Sequence, residues 1–369
     1  MAGHQDDFEE LLDRADDLPD GPAKVAVLEE AVRLADQHGG EEDGYRARHA
    51  LLDAAVSSGR GDLLLTHYAW CLAKFDAAPD RYSEHALLWR YKWVAGNAVS
   101  FPEITLAQLH ALIDDMDRRF RAYGAGARAV ADQRYSLARH VGDKEEVKRL
   151  YRAFRQTPRD HLSNCPACEA DDAVDYHSFL GQHRKAVEAA APILAGRLSC
   201  TSVPERTYAK LLYPLLRLGE PAEAARVHRL GWRLSLRSGD GVTNFGRHLL
   251  FLGMTDNLAA GLRAVARTLP AGFASYEPFS RFQYYWGAGF LLERAVRAGL
   301  TNRVRVPAEH PLAGGRGPTV EALQDWVRAE AAALAARFDA RNGTDAFARD
   351  LADQEKLHRR VVSYPLESA

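Results

Sequence analysis

One spacing constrains this chain more than any other: a Gly, four residues, then a small or apolar residue that opens a helical stretch. It occurs at Gly142 to Val147, Gly181 to Ala186 and Gly219 to Ala224, with a degenerate copy from Asp256 to Gly261. Successive copies start 39, 38 and 37 residues apart. A fixed period in this range marks stacked helix pairs, because a single helix hairpin cannot bury its apolar face alone. Gly suits the turn since it accepts the left-handed conformation that ends a helix. A small residue five positions on lets the second helix approach the first closely. Looser copies lie near Gly59, near the Phe101-Pro102-Glu103 turn and around Gly21 to Ala26.

Between these marks apolar residues recur at three- and four-residue spacing, as in Ala186, Val187, Ala190, Ile193 and Leu194, or Ala224, Val227, Leu230 and Leu234. That is the period of a buried helix face, and alternating β-branched runs are almost missing. The expected fold is all-α: a right-handed α-solenoid of about seven helix hairpins over residues 1–270, followed by a C-terminal helical capping region over 271–369. In that region one helix is expected over about 276–299, with Phe279, Phe282, Tyr285, Trp286 and Phe290 making a bulky face. A polar loop near 300–318 follows, rich in Pro and Gly and written like a linker or mobile loop. Two more helices are expected, over about 319–340 and 344–356.

The best single repeat is Tyr208, Leu211, Gly219 and Ala224. These residues stand where the tetratricopeptide repeat carries an aromatic, a Leu, a Gly and an Ala, and the chain resembles that superfamily. It departs from the pattern in its period, which exceeds the usual ~34 residues. The position where the repeat carries an aromatic late in its second helix holds Ala190 in one copy and His228 in another. The segments LWRYKWV (88–94), FPEI (101–104), NCPACE (164–169) and RLSC (197–200) are similar to those of a group of bacterial tetratricopeptide proteins with a CPAC motif. The resemblance implies a fold, and a groove lined by the first helix of each hairpin, but no activity.

Among the 369 residues, 48 basic and 50 acidic side chains leave a net charge of -2, without the broad positive field of a general nucleic-acid binder. No apolar run approaches the ~20 residues that span a bilayer. The segment Met1 to Asp7 has neither the basic start nor the apolar core of a signal peptide. Four cysteines are too few for a disulfide-built fold. The expectation is a cytoplasmic protein with no nucleic-acid or membrane partner. P-loop, HExxH, nucleophile-elbow and βαβ-type GxGxxG motifs are all missing, so no complete catalytic motif is present.

The most specific chemical feature is Cys165-Pro166-Ala167-Cys168, with Cys200 downstream and His161 four residues upstream. In the repeat frame Cys165 and Cys168 open the first helix of one hairpin, and Cys200 precedes the first helix of the next. Those ends lie side by side, so the sulfurs can meet. Cys165, Cys168, Cys200 and His161 would make a tetrahedral zinc site, with Glu169, Asp171 or water as substitutes for His161. Two other readings use the same residues: a disulfide switch at a helix N-terminus, and small side chains that merely pack the junction. Cys71, inside AWCLAKF, reads as core.

A second feature is aromatic and basic, Trp89-Arg90-Tyr91-Lys92-Trp93. By frame the groove would collect Arg90, Lys92, Arg134, Arg139, Arg206, Lys210, Tyr213, Arg217 and Arg247. Such a row suits an acidic peptide or a carboxylate terminus; the alternative is aromatic core residues beside solvated Arg side chains. Asp171 and Asp175 share a helix face and suit a cation or a basic partner, and equally a helix's positive end. Asp114-Asp115 followed by Arg118-Arg119 reads as ion pairing on one helix. The leading expectation is a non-catalytic scaffold that binds a protein or peptide segment. A metal- or thiol-dependent enzyme acting on a small metabolite and a peptide-sensing regulator are the alternatives.

Overall fold

The computed structural model describes residues 2–238 and 241–366. Met1, which opens the N-terminal segment read above, lies outside them. The expected all-α class holds: among the described residues only helices and two isolated backbone bridges occur. In chain order the helices are α1 (Ala2–Asp16), α2 (Pro22–His38), α3 (Glu41–Ser57), α4 (Gly61–Ala77), α5 (Glu84–Ala98) and α6 (Leu106–Tyr123). Then come α7 (Ala127–Val141), α8 (Lys144–Gln156), α9 (Pro166–Phe179), α10 (His183–Leu194), α11 (Glu205–Arg217) and α12 (Pro221–Ser235). The last six are α13 (Val242–Met254), α14 (Leu258–Ala274), α15 (Pro278–Arg297), α16 (Val320–Asn342), α17 (Ala346–Ala352) and α18 (Gln354–His358).

The recurring spacing has a direct backbone meaning. Gly142, Gly181 and Gly219 each take a left-handed conformation, with φ of 89, 70 and 75°. In the degenerate copy Asp256 does so in place of Gly, with φ 58°, which Asp tolerates better than most residues. The residues five positions on, Val147, Ala186 and Ala224, are fully buried.

The chain forms two compact units. The first comprises residues up to Leu137, Arg152–Ser163 and Ser238; the second comprises Ala138–Tyr151, Asn164–Arg237 and Gly241 onward. The division therefore passes through α7 and α8, while residue 270 lies inside α14. In the first unit each of α1 to α5 packs on the next, around Leu28, Leu51, Leu52, Tyr91 and Phe120.

In the second unit α9 packs on α10, α11 on α12 and α13 on α14, while α9, α11, α13 and α15 also contact one another in succession. The closest approach is between α13 and α15. A Cβ on Gly287 would lie 1.9 Å from the Gly246 carbonyl oxygen, so neither helix tolerates a side chain at that crossing. The continuous core of this unit includes Leu211, Leu249, Phe251, Tyr284 and Phe290.

The helices expected over 276–299 and 319–340 are α15 and α16, the latter capped by the Thr319 hydroxyl, which accepts the Ala322 N–H. The single helix expected over 344–356 is instead α17 and α18. The Asp350 carbonyl there accepts the Trp286 indole N–H at 3.1 Å, and Gln354 donates to the Trp286 carbonyl at 2.6 Å. The polar loop between α15 and α16 is tied at its base, where Val304 N–H donates to Pro318 O and Val320 N–H to Asn302 O, both at 3.0 Å. Past α18 the chain runs back along the end of α13: Val362 N–H donates to Met254 O at 2.9 Å and Tyr364 N–H to Thr255 O at 3.2 Å. Asn257 clamps this stretch with both ends of its amide, to Tyr364 O and from Leu366 N–H.

Candidate functional site

The start of α9 follows the local sequence. Cys165 is the N-cap, Pro166 takes the first helical position, and the Cys165 sulfur accepts the Cys168 N–H at 3.3 Å. Pro fits there because its missing N–H would have no helical partner. Cys200 sits just ahead of α11, its N–H donating to Val203 O at 2.9 Å. The three sulfurs come within 4.8 Å of one another, and Cys168 and Cys200 are 3.5 Å apart. They are half-buried free thiols, and Cys165 and Cys200 rest on Ala167, Ile193 and Val203. Sulfurs held ~2.3 Å from a tetrahedral ion stand ~3.8 Å from each other, so this group can hold a metal ion.

The thiols differ in character. Burial pushes the Cys168 thiol above its ordinary range, although the Arg206 guanidinium beside it works the other way. Burial opposes ionisation of Cys165 too, yet hydrogen bonds from the Cys168 and Ala167 amides and the neighbouring thiols hold it below its usual value. His161 belongs to the first unit, where its ring lies 5.4 Å from His85 and 5.8 Å from Tyr123, and the thiol group of the second unit comprises Cys165, Cys168 and Cys200. Aromatic packing within that unit sets its position.

Arg206 links the thiols to a chain of buried charge. Its guanidinium is 3.8 Å from the Cys168 sulfur and 3.1 Å from an Asp171 carboxylate oxygen. Asp171, with no exposed surface, also accepts the Thr207 hydroxyl at 2.7 Å and the Lys210 ammonium at 2.6 Å. Lys210 reaches Asp175 at 2.5 Å. Asp171 and Asp175 do share a face of α9, and the cation between them is Lys210 of α11. Burial works against ionisation of Asp175, but Lys210, Arg139 and Arg247 together hold it well below the usual carboxylate range. Asp172, where burial outweighs Lys210, is pushed up to about 6.

Lys210 and Asp175 also line a cavity of about 180 Å³ formed by α9, α11, α13 and α15. Leu212, Leu250 and Phe251 make its walls apolar, and Arg247, Gln283 and Trp286 enter from α13 and α15. Arg247 makes no hydrogen bond or ion pair among the described residues, and burial holds its guanidinium below its ordinary value against the pull of Asp175 and Asp171. An apolar cavity with a few convergent polar groups is the common form of a ligand site. A desolvated guanidinium inside one favours an anion.

The nine residues expected along one groove are divided between the units. In the first unit Arg90 pairs with Asp53 at 2.6 Å, and Arg134 with Asp114 and Asp117 at 3.3 and 3.0 Å. Lys92 does not face a groove: it is buried, donates to Leu162 O at 2.8 Å and lies 3.3 Å from the centre of the Trp89 ring. In the second unit Arg217 and Arg360 both donate to the Tyr213 hydroxyl, and Arg139, Arg206, Lys210 and Arg247 surround the aspartates of α9. The expected pairing on α6 is present, with Asp115 binding Arg118 and Arg119. Cys71 is fully buried in α4, its thiol pushed up to about 12 by burial.

Sequence reasoning missed Gln283 and Trp286, whose place on a bulky helix reads as core. It also missed the sulfur contact of Arg206, six residues after Cys200 and so one helical start away. No protein-family model matches the chain, and no curated relative does.

Proposed function

We propose that this protein is a cytoplasmic, tetratricopeptide-like α-solenoid of about seven hairpins that binds a protein or peptide segment and catalyses nothing itself. The left-handed turns at Gly142, Gly181, Gly219 and Asp256 support the repeat reading. So does the successive packing of α9, α11, α13 and α15, which would line the concave side. Zinc is the ion the thiol group would carry, since three sulfurs at this spacing suit it.

The observation that carries the binding reading is Arg247, a guanidinium without a hydrogen-bond partner in a cavity with largely apolar walls that Lys210 and Asp175 also line. The cavity is below the usual ~300–1,000 Å³ of drug-sized sites. It fits one carboxylate-bearing apolar side chain or chain end, with Arg247 and Lys210 on the anion. Calorimetry, with Trp286 fluorescence as a second signal, tests this with short peptides ending in an apolar residue as free acid or as amide. The free acid should bind and the amide should not, and Arg247→Met should abolish the difference. Equal heats for both peptides would end this reading.

A further inference from the structure

The thiol group offers three sulfurs, and within the second unit no described His, Cys, Asp or Glu joins them as a fourth donor. Of the carboxylates named on the sequence, Asp171 is already engaged by Thr207, Lys210 and Arg206. Glu169, the other substitute, is buried one turn along α9 and is not part of the group. The three thiols are only half-buried, so small molecules reach them. Closed structural zinc sites have four protein ligands, whereas sites with three leave a position for water or an exogenous ligand.

Charge favours the same arrangement. Binding a divalent ion releases the thiol protons, and three thiolates around a double positive charge leave one net negative charge. Arg206, 3.8 Å from the Cys168 sulfur, carries the single positive charge that offsets it.

We propose that Cys165, Cys168 and Cys200 bind one zinc-class divalent ion through three thiolates, with the fourth coordination position open to an exogenous donor such as an imidazole or a thiolate. Arg206 is the positioning residue, neutralising the thiolate set from outside the coordination sphere. This rests on the zinc reading above and adds to it an accessible ion that exchanges a ligand.

The test uses the full chain, purified reduced and without a histidine tag, stripped of metal and loaded with Co²⁺. One ion per chain should bind with sulfur-to-cobalt charge-transfer absorption, and each of Cys165→Ser, Cys168→Ser and Cys200→Ser should remove about a third of that intensity, as three equivalent ligands require. Adding imidazole or 2-mercaptoethanol to the wild-type protein should shift the ligand-field bands, and His161→Ala should leave the spectrum unchanged. Arg206→Met should weaken retention against a chelator by roughly 10- to 100-fold, with Arg206→Lys restoring part of it. Failure to bind metal, or isolation of a Cys168–Cys200 disulfide from reducing buffer, overturns both this proposal and the zinc reading. A bound ion whose bands ignore both added ligands, or change in His161→Ala, overturns only the open position. The titration of wild-type protein stands even where a Cys variant fails to fold.

Discussion

Both units are rich in cations, but they use them differently. In the first unit Arg side chains meet carboxylates two helices back near the surface, as Arg90 of α5 meets Asp53 of α3 and Arg119 of α6 meets Asp76 of α4. In the second unit Arg206 and Lys210 converge on the wholly buried Asp171, and Arg247 is left in the cavity beside them. Surface pairs contribute ~0–1 kcal/mol each. A buried cluster is fragile when one member is removed, because the remaining charges stay desolvated. The same residue types thus make exposed pairs such as Arg90 with Asp53 in the first unit and a buried charged cluster around Asp171 in the second, according to where the partnering carboxylate lies.

The sharpest way to break that contrast is Asp171→Asn. It leaves Arg206 without its carboxylate and weakens the hold on Lys210, and should lower unfolding free energy by about 3–5 kcal/mol, measured by urea denaturation. A loss under 1 kcal/mol would place the second unit's charges in the same class as those of the first.

Acid should act next most strongly, through buried histidines of the second unit. His228 and His248 share a hydrogen bond between their Nδ1 atoms at 2.9 Å. Burial pulls His228 down to about 3 and His248 well below its ordinary value. Their folded-state affinities for protons are lowered, so their contribution is full above pH 6.5 and is lost as pH falls below it, by about 1.4 kcal/mol per histidine per pH unit. Asp172 has the opposite sign: its raised pKa makes its ionisation a penalty at neutral pH that protonation relieves below about 6. Asp172→Asn should therefore raise stability at pH 8 and steepen the loss on acidification; an unchanged slope would remove Asp172 from the account.

Lys92 tests a buried cation of the first unit, one that meets a backbone carbonyl. Lys92→Met removes the charged hydrogen bond to Leu162 O and should cost about 1.5–3 kcal/mol. Smallest of all, Asp53→Asn should change stability by less than about 1 kcal/mol, and less still in high salt, since Asp53 is half exposed. A larger effect there would erase the distinction between the units.

Turns and helix faces were legible because they are local. Gly142, Gly181 and Gly219 announce left-handed caps, and Cys165-Pro166 announces a helix start. The meeting of Cys165, Cys168 and Cys200, expected from the spacing of the helix starts, is present. What could not be read was which carboxylate a given cation meets. Nothing within a few residues of Lys92 says that its partner is the carbonyl of Leu162, seventy positions on. The break between α17 and α18 was hidden for the same reason, since the indole that takes the Asp350 carbonyl comes from α15. The rings of His85 and Tyr123 that pack against His161 come from distant positions too, and no local spacing announces them.

The clamp at Asn257 ties the order of synthesis to the cavity. Its amide closes hydrogen bonds across 107 and 109 residues, and the same returning segment takes the carbonyl of Met254, a cavity wall. On a ribosome adding ~5–20 residues per second, the turn between α13 and α14 emerges several seconds before its partners exist. Until then the carbonyls of Met254 and Thr255 face water or a chaperone, and the hydrogen bonds behind this cavity wall close only when residues 362–366 arrive.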